Sequence, residues 1–548
     1  MIDMSGLPSM VNVSKITRSL QTEFGSYNHT DSAMNGDIYD MKNLSSDKFP
    51  LLSVRKKRTT VKTPGKQIIG FLGSGELFVL YERNDDGKNP FTYGEKDGTV
   101  SLESNEEKTV CSFGSYIIIM PDKVYINTED LSSGYLEATV TLTATFKNGT
   151  LYGEDAAANT IYCDNAGFDT IFKEGDALEI SGCTEYSDNN KTVIVREISQ
   201  DSLIFYENTF TLPEGDSKYT ENSQITISRK VPELDFMCEN ENRLWGCKGS
   251  TVYASKPGDI FNFNVFDDLS TDSFAVSVGS PGDFTGCISY KGFPCFFKED
   301  YIYKVYGDKA SNFQLMCTAS AGVASGCGKS LEIAGETLFY MSRNGICAYT
   351  GGMPVNISHC FGDIKYSNAV GGSDGIKYYV SVKDEAEKSS LFVYDTRFGV
   401  WHKEDDSEAH LFARHNGILY MLLSDDSIYG VNGGDGDTKD DISWECEFAS
   451  LYEHSSYNKR STPIPTKKGI VRFYIRAELS EGASMNAYIQ FDGEDTWQEI
   501  GYVSAQKKKS VTLPIIPRRA EHYKLRLSGK GDFTIYSITR EYYVGSFI

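Results

Sequence analysis

The stretch Gly322–Ser330, "GVASGCGKS", comes closest to a phosphate-binding chemistry, because Lys329 and Ser330 match the end of a P-loop. The loop needs a glycine at position 323, which is Val323, with Gly322 one residue too early. It must also open a helix whose N-terminus faces phosphate. Here "LEIAGETLFYMS" follows, which reads as strand, turn and strand. An inter-blade loop is the expected structure. The chain has 7 His, and His359, His402, His415 and His454 have no Ser or Cys partner at a recognisable spacing. Gly-x-Ser-x-Gly is absent, so nucleophilic hydrolysis finds no support. The acidic loop "GGDGDTKDD" offers Asp435, Asp437 and Asp440 as weak Ca²⁺ ligands, but it lacks the twelve-residue spacing with a terminal Glu; a solvated turn is the simpler reading. The 12 Cys form no CxxC pair and no zinc-spaced cluster, which fits buried thiols in a reducing compartment. A glycan-cleaving propeller would need two facing carboxylates; the Ser-x-Asp-x-Gly-x-x-Trp boxes of sialidases are missing. No catalytic residue, cofactor or firm metal site is expected.

The elements that would position such residues are strands. Among 548 residues there are 50 Gly, 34 Tyr and 31 Phe against 15 Pro, a composition of strands and tight turns. No stretch of about 12 residues shows clean helical periodicity. A hairpin recurs instead: "QIIGFLGSGELFVLYE", "NRLWGCKGSTVYASK", "GFPCFFKEDYIYKVYG" and "ETLFYMSRNGICAYTGG" each place a turn between two apolar-aromatic runs. Hairpins starting roughly 35–50 residues apart mark a β-propeller, one sheet per blade. The count is seven candidate blades, give or take one, and an array of β-sandwiches is the alternative. The aromatic stripes alternate within strands and are read as core.

The expected organisation is all-β. Residues 1–66 form an irregular N-terminal segment partly completing the propeller, 67–135 its first part, and 136–228 an inserted small β-barrel-like domain. Residues 229–445 form the second part of the propeller and 446–548 a β-sandwich-like domain. No run of apolar residues is long enough for a spanning helix, and no secretory signal is visible at the start. With 54 Lys plus Arg against 76 Asp plus Glu, the net charge is −22. That argues against coating duplex DNA and against anionic membrane surfaces. The basic residues Arg55, Lys56, Lys57 and Arg58, with Arg518 and Arg519, are the weak candidates for contacts with acidic neighbours; the pair Lys467/Lys468 is another basic run.

In order along residues 230–548, several segments resemble a family. They are "SRKVPELDFMCENENRLWGCKGSTVYASKPGDIFNFNVF" with Arg243 and Trp245, "GFPCFFKEDYIYKVYG" before "AGVASGCGKS", and "SRNGICAYTGGMPVNIS". "LFVYDTRFGVWHKE" with Tyr394, Asp395 and Trp401 and "KLRLSGKGDFTIYSITREY" follow. The chain is similar to tail hub or nozzle (packaged-DNA stabilisation) proteins of tailed bacteriophages and to virion proteins coded in prophages of low-GC Gram-positive bacteria. The insert 136–228 has no counterpart there. The resemblance implies a non-enzymatic virion tail protein made in the host cytoplasm. It would form a homo-oligomeric, commonly sixfold ring below the portal and adaptor, with genomic double-stranded DNA passing through the lumen without sequence-specific binding. Acidic groups facing that lumen would repel phosphates during ejection; solubility alone is the plainer account of the charge. A distal-tail receptor- or glycan-binding protein is the second reading, and a glycan-active propeller enzyme the third.

Overall fold

The computed structural model describes residues 16–544, apart from 34–35, 62, 152–155, 267–268, 432–441, 452–467, 504–506 and 517. The chain divides into two compact units, residues 66–328 and residues 1–65 with 329–548. Among the described residues, seven four-stranded antiparallel sheets are the blades of a β-propeller, and no helix is long and apolar enough to cross a membrane.

Residues 66–328 hold four blades. Blade 1 is Ile68–Ser74, Glu76–Tyr81, Asn89–Tyr93 and Lys96–Val100, and blade 2 is Thr109–Phe113, Tyr116–Met120, Val124–Asn127 and Ser133–Tyr135. Blade 3 is Phe236–Asn240, Arg243–Lys248, Thr251–Ala254 and Phe274–Ser277, and blade 4 is Gly286–Tyr290, Phe293–Phe297, Tyr301–Tyr306 and Gln314–Ala319. Their hairpins follow the local chemistry. Glu241 and Asn242 both take positive φ, 49° and 58°, the backbone a two-residue type I′ turn requires. Trp245, Phe296 and Tyr303 meet between blades 3 and 4. Fully burying one such ring stabilises by about 1.5–3 kcal/mol.

The inserted domain leaves after the last strand of blade 2 and returns before the first strand of blade 3. It has two sheets. One runs in the order Ala138–Leu142, Ile225–Arg229, Ala177–Ser181, Thr192–Ile194, and the other in the order Glu197–Ser199, Ser202–Tyr206, Ala157–Tyr162, Thr145–Thr150, Lys218–Thr220. Phe146, Phe168, Phe172, Phe205 and Ile227 fill a core of its own. A buried polar joint ties it to blade 3. Arg229 donates to Asp176 at 2.7 Å and to the Leu136 carbonyl, while Asn262 donates to Asp176 at 2.8 Å and accepts the Ala177 N–H at 3.0 Å.

The second unit holds three blades. Blade 5 is Glu332–Ala334, Thr337–Ser342, Gly345–Tyr349 and Val355–Asn356, and blade 6 is Tyr366–Ser373, Lys377–Asp384, Ser389–Asp395 and Val400–Lys403. Blade 7 is Ala409–His415, Ile418–Leu423 and Ile428–Gly430, completed by the N-terminal strand Thr59–Val61. The C-terminal sandwich is likewise composite. Ile16–Gln21, Leu44–Ser45 and Leu52–Val54 join the sheet built on Lys468–Leu479 and Phe533–Val544, and Ile38–Lys42 edges the sheet of Ser443–Phe448, Tyr523–Lys530, Ser484–Phe491 and Gln498–Val503. The two sheets pack through Trp444 on Phe533, ring centroids 3.9 Å apart. The described part of the N-terminal segment therefore carries five short strands joined by irregular chain. Four complete the sandwich and one completes the propeller.

Candidate functional site

The basic run at 55–58 is not an outward patch. Arg58 is buried and pairs with Glu404 at 2.8 Å and Asp405 at 2.9 Å, and Arg55 reaches the same two carboxylates at 3.7 and 3.4 Å. The strap that leads to Thr59–Val61 crosses blade 6, and two guanidiniums placed there need buried counter-charges. Burial alone would raise the Asp405 pKa, but Arg58 and Arg55 outweigh it and hold the carboxyl below its ordinary range. This corrects the expectation for Arg55 and Arg58; Lys56 is exposed and Lys57 half-buried. Arg518 is exposed, pairs with Glu494 and lies over Phe491, and Arg519 is exposed on its short strand. Lys468 is buried under Tyr542. Asp435, Asp437, Asp440, His454 and Lys467 lie outside the described residues, and among the described ones no His/Cys/Asp/Glu group could hold a metal ion.

The P-loop look-alike is structural. Gly328–Ser330 is a single 3-10 turn. The fully buried Ser330 accepts the Met341 N–H on its hydroxyl at 2.9 Å and the Tyr378 hydroxyl on its carbonyl at 2.8 Å. Gly322 is glycine because a Cβ there would lie 2.0 Å from the Lys298 carbonyl. The other singled-out residues also serve the fold. Arg243 is buried and donates to the carbonyls of Ser255, Asp272 and Ser270. Trp401 donates to the Ile357 carbonyl at 2.8 Å. Asp395 is fully buried; burial would raise its pKa, yet donors from Arg397 and Ser46 hold it below the carboxylate range. His402 is fully surrounded, and burial, helped by Lys377, pushes its pKa down to about 4, so it is neutral at neutral pH.

Among the described residues, Glu332, in the first strand of blade 5, is the carboxyl pushed up, to about 7. It keeps some solvent contact but is densely surrounded by protein, and burial outweighs the Ile333 N–H on its Oε1 and the nearby Arg414. It lines neither of the cavities described next.

Two cavities in the second unit gather chemistry that sequence spacing did not bring together. An open cleft of about 890 Å³ on the sandwich is lined by Lys48, Lys507, Lys509, Glu478, Asp532 and Tyr536. Tyr536 donates to Glu478 at 3.0 Å, and the Lys508 ammonium sits 3.7 Å from the ring centroid, covering a face a sugar would need. A more enclosed cavity of about 420 Å³ lies at blade 5. Met341, Ile346 and Phe361 form its floor; Arg343, His359, Asp363 and Lys365 are on its rim. The hairpin turn carrying Arg343 and the loop 357–365 are separated by an entire strand pair, so only the folded blade joins them. The available signal was the basic and amide content of "SRNGICAYTGGMPVNIS".

No family model matches the chain, and no curated protein matches it. Among solved structures, it is similar to virginiamycin B lyase from Staphylococcus aureus, with 10% identity, a TM-score of 0.33, and coverage of 68% of this chain and 97% of that one. It is similar to YCF48 bound to D1 peptide at 6% identity and TM-score 0.27, covering 69% and 96%. Similarity to PorZ of Porphyromonas gingivalis is 10% at TM-score 0.26, covering 88% and 77%. At such scores these likenesses carry no argument about activity; the fold class stands on the strand pairing itself.

Proposed function

We propose that the chain is a non-enzymatic structural virion protein of a tailed bacteriophage, a tail hub or nozzle subunit. Its copies, six in the expected ring, continue or close the DNA channel below the portal and adaptor, retain packaged DNA and let it pass at ejection. The segment resemblance along 230–548 supports the reading, and the observation that carries it is where the charge lies. Residues 136–228 hold 16 acidic and five basic residues, 5 − 16 = −11, half of the chain's −22 on a 93-residue body. A body of strongly negative net charge repels phosphate over roughly a Debye length, about 8–10 Å at physiological salt, which suits a wall that DNA must slide past. The segments that carry the resemblance are spent on packing, as Arg243, Asp395, Trp401 and Ser330 illustrate, which suits a scaffold. Electron microscopy of the purified protein and of virions tests it. A closed ring under the portal is the expected image; trimers at the distal tip would replace it with the receptor-binding reading. Lysine substitutions on the insert are expected to create salt-sensitive duplex binding that the natural chain lacks, measured by fluorescence anisotropy.

A further inference from the structure

The outer edge of blade 5 and the loop after it expose three apolar side chains. Met353 is 66% exposed, Val355 61% and Ile364 40%. Ile364 and Asn356 both line the 420 Å³ cavity; Val355, next to Asn356 on the edge strand, turns to the opposite face of the blade, so the apolar residues flank the cavity rim along the exposed strand edge. Val355–Asn356 is a two-residue edge strand paired on one side, to Cys347–Ala348, and both its residues are exposed. Two cationic side chains, Arg343 and Lys365, share the rim with His359 and with one carboxylate, Asp363. Apolar side chains within a polar rim have the composition of an interface. A basic rim is also out of keeping with a chain of net charge −22.

Exposed carboxylates that could meet such a rim are on the same sequence. The inserted domain exposes Glu174, Glu185, Asp188, Glu207, Glu214 and Asp216, within the body of net charge −11. We propose that the blade 5 patch docks the inserted domain of a second copy of this chain. Such a contact joins two different faces, so it is heterologous and propagates from copy to copy until a ring closes. Opposite charges steer the encounter and set the register, while Met353, Val355 and Ile364 supply the area removed from water. The inference rests on the ring reading above and names the surfaces that would build it.

Carbodiimide cross-linking of a one-to-one mixture of ¹⁴N- and ¹⁵N-labelled full-length protein tests it, read by peptide mass spectrometry beside mass photometry. The expected result is a ring whose mixed-isotope cross-links join Lys365 to carboxylates of 136–228. Met353→Glu/Val355→Glu and Arg343→Glu/Lys365→Glu should each weaken assembly at least tenfold in concentration, the second more at low salt than at high salt. Circular dichroism of these surface variants should match the parent chain. Rings that persist in both folded variants, with Lys365 never linked to the insert, overturn the docking and leave the ring reading standing. Natural chain that stays monomeric at every concentration overturns both.

Discussion

The inserted domain and the C-terminal sandwich are both two-sheet β modules attached to blades, yet they are built in opposite ways. The insert is one continuous stretch whose described strands pair only with each other, closed on the core of Phe146, Phe168, Phe172 and Phe205. The sandwich borrows from the far end of the chain, with Ile16–Gln21 lying antiparallel on Phe533–Val544 in register Ile16 to Tyr543. A contiguous module can be gained or lost without touching its host's ladder. A composite one fastens the two chain ends together and cannot be separated from either. Loop closure grows slowly with length, so a pairing across more than 500 residues is affordable thermodynamically but leaves no local trace.

The largest expected effect breaks this comparison directly. Residues 136–230 expressed alone should fold, giving dispersed amide resonances and a cooperative thermal transition. Residues 442–548 alone should not, because four strands of their sheets are missing; a folded sandwich fragment would end the distinction. Next is the joint of the insert. Asp176→Ala leaves the buried Arg229 guanidinium without its carboxylate and should cost about 3–5 kcal/mol in urea unfolding of the insert-bearing unit. A cost under about 1 kcal/mol would show that the insert hangs freely.

The N-terminal strap over blade 6 gives a pH prediction. His402 has a folded pKa of about 4 against an ordinary 6.5. The unfolded chain therefore binds the extra proton between those values. The stability is fully present above pH 6.5 and is lost as pH falls through about 4, by roughly 3 kcal/mol. In a His402→Phe variant that slope should flatten, seen as a smaller difference in denaturant midpoint between pH 7 and pH 4.5. The smallest effect sharpens the joint again. Lys123 meets Glu137 at 2.8 Å with side chains 24% and 34% exposed, so Lys123→Ala should cost no more than about 1 kcal/mol. The contrast with Asp176→Ala measures what burial adds.

Much of this was legible in residues alone. The recurrent hairpin and the failure of "GVASGCGKS" as a P-loop follow from turn chemistry and two-residue alternation, which act over a few neighbours. The basic run Arg55–Arg58 shows where such reading stops. Its composition suggests an exposed patch, and its partners Glu404 and Asp405 lie some 350 residues away. The blade 5 rim is the reverse case, since Arg343 and Lys365 look unremarkable until the blade brings them together.

By itself, then, the sequence determined that the chain is a series of antiparallel hairpins with a contiguous acidic insert, because those features are local in range. The tertiary structure decided which chain end completes which sheet, that Arg55 and Arg58 are spent on an internal strap, and that Arg343, His359 and Lys365 share a cavity rim on blade 5. Strand partners and counter-charges are chosen by packing between distant segments, and no period or motif encodes that choice.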